Sequence, residues 1–147
     1  MRILLRQPCS QEETVNLLRR VLGAGLGVKH IVVCGHSDCG AMKALLHPES
    51  TAKMPTVSSW LTNGKAALMV SDALRQADEP SNETLRRVTK QNVLMQLAHL
   101  KTHPSVAGAM AQGKVSTSGW IYDIATGDVS IIEQEPLSFQ TVERSKT

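Results

Sequence analysis

Aromatic side chains are scarce in this sequence of 147 residues: two Trp, one Tyr and one Phe. Four rings do not make the row of stacking platforms that single-stranded nucleic acid needs. The sixteen Lys and Arg are scattered rather than clustered, so the net charge of +3 does not imply a nucleic-acid partner either. No apolar run nears the roughly 18 residues of a membrane span, and no membrane partner is expected. The opening MRILLRQPCSQEE lacks a long apolar core and a small-residue cleavage site, and is read as carrying no secretory signal. Cysteine is sparse and odd in number, at Cys9, Cys34 and Cys39, without the spacing of a disulfide framework. In a chain expected to be cytoplasmic, that pattern points to buried thiols or metal ligands.

What is present is ordinary for one globular domain, with 41% hydrophobic and 20% charged residues. Ser10 to Glu13 matches a capping box, and Val15, Leu18, Val21 and Leu22 then recur at helical spacing until Gly23, Gly25 and Gly27 stop it. The GAGLG stretch follows a helix rather than a strand, which rules out a dinucleotide loop. Lys29–Cys34 is a continuous apolar strand of the kind buried in a parallel sheet. Cys39–Leu46 reads as a helix. A second spans about Val57–Leu74. A long third, capped by Ser81 or Asn82, carries Leu85, Val88, Asn92, Leu97 and Leu100 along one stripe and stops before His103-Pro104. A short helix over Ser105–Gln112 precedes two strands, Val115–Ile124 and Val129–Ile132, joined as a hairpin through Ala125-Thr126-Gly127-Asp128. The fold expected is α/β, a small and mainly parallel sheet flanked by helices and ending in a strand hairpin. Residues 1–26 form a divergent N-terminal segment with a helix, 27–133 the domain, and 134–147 a loosely ordered tail.

Chemistry concentrates where the Lys29–Cys34 strand ends. Functional groups in open α/β sheets collect at that edge, and His36 and Cys39 follow it directly. A cysteine at the start of a helix is favoured as thiolate, which binds metal or attacks an electrophile. Imidazole and thiolate are both good zinc ligands, and a His-x-x-Cys turn lets them converge. Spacing alone leaves three readings open: a polar turn with a buried Cys, a metal pair, or a Cys39 nucleophile with His36 as its base. His30, His47, His99 and His103 read as surface or capping residues, Trp60 and Trp120 as core or interface. Gly35 and Gly40 read as relief for a close approach of the turn to a metal.

The stretch GVKHIVVCGHSDCGAMKAL resembles the second metal-ligand motif of β-class carbonic anhydrases. MPTVSSWL, QNVLMQLAHLKTHPSV and GWIYDIATGDV resemble later parts of that family, in the same order, so the likeness runs from about Gly27 to Ile132. It implies zinc as cofactor, His36 and Cys39 as its ligands, and Cys34 as a buried core thiol. It also implies carbon dioxide and bicarbonate as reactants and a homo-oligomer. The family's earlier Cys-x-Asp-x-Arg motif, which brings another thiolate and an Asp–Arg pair to the metal, occurs nowhere in this sequence. Cys9, in CSQEE, shares only Cys-Ser with it and reads better as preceding a helix cap. The chain thus looks like a family member without its N-terminal part. Family sheets place their first strand beside Ile31–Cys34, so an open edge is expected there, favouring self-association. Two functions compete: an impaired zinc enzyme that hydrates carbon dioxide reversibly, and a catalytically silent zinc-binding or oligomerising remnant.

Overall fold

The computed structural model describes residues 2–6, as backbone, and 28–132. Four strands form one sheet in the order β1 (Arg2–Arg6), β2 (His30–His36), β3 (Ser116–Tyr122), β4 (Val129–Ile132). β1 and β3 both run parallel to β2, and β4 returns antiparallel to β3. Five α-helices complete the described residues: α1 (Gly40–Leu46), α2 (Pro55–Leu61), α3 (Lys65–Ala73), α4 (Ser81–Thr102) and α5 (Pro104–Ala111). The capping-box helix, Cys9 and the tail lie outside the described residues.

β2 is buried because its run Ile31-Val32-Val33 leaves at most 3% of any of these residues exposed. Ile31 and Val33 pack against Val93, Leu97 and Leu100 of α4, with Val106 of α5 closing the cluster. Two glycines let α4 lie this close. A Cβ on Gly35 would stand 2.8 Å from a Val93 methyl, and one on Gly119 would stand 2.7 Å from a Leu97 methyl. A second cluster joins Met42 and Leu45 of α1 to Leu61 of α2 and Val88 of α4.

Several expectations change. The edge of β2 expected to be open is occupied: Ile3 pairs with Ile31, Leu4 with Val32 and Leu5 with Val33. A five-residue segment at the start of the chain suffices to extend the ladder. The single helix read over Val57–Leu74 is two, separated by a 3₁₀ turn at Thr62–Gly64. There Gly64 is buried against Leu45, where a Cβ would stand 2.9 Å from a leucine methyl. Pro80, not Ser81 or Asn82, is the N-cap of α4, and its carbonyl receives the N–H groups of Glu83 and Thr84. Gly35 relieves helix packing rather than approach to a metal, and a Cβ on Gly40 would meet nothing within 4 Å.

Candidate metal centre

The strand-to-helix turn after β2 carries the candidate ligands. His36 is the last residue of β2, and Cys39 is the N-cap of α1, with extended backbone angles. Between them Asp38 takes a left-handed φ of 55° and forms an ion pair with Lys43, one turn into α1. Such a reversal brings the chain round within two residues, so that His36 and Cys39 both line one cavity of about 550 Å³. Its walls are mostly apolar: Met42 from α1, Val93 from α4, Trp120 and Tyr122 from β3, and Ile124 and Val129 from the hairpin. Thr89 and Asn92 of α4 also line it.

Hydrogen bonds define how His36 is presented. Its Nδ1 lies 2.8 Å from the carbonyl oxygen of Ser37. A carbonyl only accepts, so Nδ1 carries a proton, and in the neutral ring the lone pair is then on Nε2, the form in which imidazole binds a metal. Ser37 in turn donates its N–H to Tyr122 O at 2.8 Å, and its Oγ accepts the N–H of Ile124 at 2.8 Å. The turn is therefore fastened to the end of β3. Asp123 shapes the hairpin that follows, its Oδ1 accepting the N–H groups of Ala125 and Thr126 at 2.9 and 3.1 Å.

The donor set suits zinc in kind: one imidazole nitrogen and one free thiol, both half-buried on an apolar cavity. It is short in number. Among the described residues no three His, Cys, Asp or Glu side chains come together as a metal site. Cys34, expected as a core thiol, is instead half-buried on the same cavity, and its thiol donates to the carbonyl of Gly35 at a sulfur–oxygen distance of 3.3 Å. The other described histidines stand apart from this cavity. His30 is half-buried and bridges Ser116 and Ser118 at 2.6 and 2.8 Å, clipping β2 to β3, while His47 and His99 are exposed. His103 caps α5. Thr89, Asn92, Tyr122 and Ile124 line the cavity, and no local sequence pattern marks Thr89, Tyr122 or Ile124 as a site residue. Asn92 carried a signal, being an amide in an otherwise apolar helix stripe.

A family model for carbonic anhydrase matches residues 23–129. A carbonic anhydrase of Pseudomonas aeruginosa is 43% identical over 110 residues, which are 75% of this chain and 49% of that protein. Among solved structures, the β-carbonic anhydrase CcaA superposes with a TM-score of 0.73 at 28% identity, over 89% of this chain and 61% of that one. One of two tetrameric β-carbonic anhydrases of Sordaria macrospora superposes with a TM-score of 0.72 at 26% identity, over 88% of this chain and 64% of that one. The chain spans about half the length of the curated relatives it matches.

Proposed function

From the premise that this chain belongs to the β-class carbonic anhydrase family, we propose that it binds zinc through His36 and Cys39 and interconverts carbon dioxide and bicarbonate, slowly as the 147 residues stand. The observation that carries the reading is the convergence of an Nδ1-protonated imidazole and a free thiol on one apolar cavity. Zinc, when bound, would supply the Lewis acidity that makes a water nucleophilic near neutral pH. The chain's own residues do the rest. Trp120, Tyr122, Ile124 and Val129 offer a small apolar molecule an apolar wall, the last three of them exposed to solvent. Residues 27–133 are the working unit of this reading.

Slowness follows from the count of ligands. Catalytic zinc is ordinarily held by three protein ligands, and two hold it loosely. The absent Cys-x-Asp-x-Arg motif also removes polar groups beside the reacting water, a loss that commonly costs orders of magnitude in rate. The same shortage, two donors and no third among the described residues, favours a second reading: a zinc-binding or oligomerising remnant without turnover. A homo-oligomer belongs to both readings. The Sordaria relatives are tetrameric, and here Val129 and Ile131 are exposed on β4, at the edge of the described sheet. A cytoplasmic location fits the free thiol of Cys39, and no helix among the described residues is long and apolar enough to cross a membrane.

Metal analysis after zinc loading and chelator-controlled dialysis tests the ligands. Weakly held zinc is expected, lost when His36→Ala and Cys39→Ser are combined, and an unchanged content overturns the assignment. Stopped-flow hydration of carbon dioxide separates the two readings: slow zinc-dependent turnover supports the enzyme, none supports the remnant. A rate typical of intact relatives, abolished by Cys9→Ala, would show that Cys9 completes the site.

A further inference from the structure

The N–H, hydroxyl and carbonyl of Ser37 are all engaged, and two of the three partners lie far away in sequence. Its N–H donates to Tyr122 O, its Oγ accepts the Ile124 N–H, and its carbonyl accepts the Nδ1–H of His36, each at 2.8 Å. The Oγ bond joins residues 87 positions apart in sequence. A serine that merely made a turn would satisfy its hydroxyl within a few residues. This one fastens the turn after β2 to the end of β3, between His36, Tyr122 and Ile124, which line the cavity.

The consequence falls on His36. An imidazole has two tautomers, and the hydrogen bond made by one nitrogen decides which lone pair the other offers. At His36 that bond goes to the carbonyl of Ser37, whose place is set by the two bonds Ser37 makes to the hairpin. We propose that Ser37 is a positioning residue for the candidate metal centre. Its hydroxyl, by holding the turn against the backbone of Ile124, keeps the Ser37 carbonyl where it receives the His36 Nδ1–H, and so keeps Nε2 available as a ligand. The inference rests on the metal reading of His36 and Cys39, but its first consequence, the tautomer, is present without metal.

Two measurements on the full 147-residue chain test it. Long-range proton–nitrogen correlation spectra of the metal-free protein, at a pH where imidazole is neutral, report which ring nitrogen of His36 is protonated. The wild type is expected in the Nδ1–H form, Ser37→Ala in a mixture of both, and Ser37→Thr, which keeps the hydroxyl, in the wild-type form. Cadmium titration, followed by thiolate-to-metal absorption, is expected to give about tenfold weaker affinity for Ser37→Ala, the size typical of lost outer-shell partners, with Ser37→Thr restoring it. If Ser37→Ala does not fold, Ser37→Cys, near in shape but a much weaker acceptor, takes the tautomer measurement. A wild-type tautomer and wild-type affinity in the folded variant without the hydroxyl overturn the inference. A wild-type cadmium band indifferent to Cys39→Ser instead overturns the metal reading, and the tautomer result still decides the role of Ser37.

Discussion

At the scale of the residue, the turn between His36 and Cys39 is built on one unusual backbone angle. Asp38 holds φ at 55°, a region that costs most side chains of order 1–3 kcal/mol and that Asp tolerates because its short carboxylate bonds locally. Here the carboxylate pairs with Lys43, an exposed contact that contributes little by itself. The angle, not the charge, is therefore what position 38 requires. Asp38→Gly is expected to keep or slightly raise the melting temperature, and Asp38→Val to lower stability by about 1–3 kcal/mol, since a β-branched residue is strained there. Urea unfolding of the two variants checks this; equal stabilities would show that the turn relaxes freely. The His-x-x-Cys pair could be read from sequence because two ligand types recur at a spacing that geometry favours. Ser37 could not, because its partners Tyr122 and Ile124 are set by the fold rather than by any local pattern.

Among the elements, what could be read and what could not divides by whether the decisive contact is local. The long helix stops at Thr102 because His103-Pro104 ends it, as the sequence indicates. The 3₁₀ turn between α2 and α3 ends at Gly64, which lies where an added Cβ would meet Leu45 of another helix, and a helical pattern in sequence runs straight through it. The occupied edge of β2 was invisible for a similar reason: Arg2–Arg6 is too short to announce itself except by pairing. Glycines separate the same way. Gly119 sits where α4 crosses the sheet, and a methyl there would press on Leu97 and Val93, so Gly119→Ala is expected to cost about 1–3 kcal/mol by overpacking. Gly108 lies inside α5 with open space around it, and Gly108→Ala is expected to add roughly 0.5–1 kcal/mol through helix propensity. Paired thermal melts test both, and the predicted signs are opposite. A stabilising Gly119→Ala would mean that α4 stands off the sheet further than described.

For the molecule as a whole, Arg87 ties α4 to the loop before it and to α3. Arg87 of α4 ion-pairs with Glu79, and its Nε donates to the carbonyl and hydroxyl of Ser71 in α3 at 2.9 and 3.1 Å. Both charged side chains are little exposed, at 14% and 10%. The hydrogen bond from Arg87 holds the Glu79 carboxyl below its ordinary range, helped by the Gln76 N–H and opposed by burial. A lowered folded pKa means that the unfolded chain binds the proton more readily, so this contribution is complete above the ordinary carboxylate range and is lost as pH falls through the folded value. Glu79→Gln should therefore melt with a shallower dependence on pH through the acidic range than the wild type, and parallel curves would remove the tie from the account. The parallel pairing of β2 with β3 has a different consequence, one of timing. His30 and Ser116 are 86 positions apart, and pairings so distant in sequence close late, because a long loop must be ordered first. While the protein is being synthesised, the His36–Cys39 turn leaves the ribosome long before Tyr122 and Ile124 exist to hold it. Its thiol spends that interval unanchored, open to oxidation or to stray metal, and the centre acquires its shape only when the hairpin arrives.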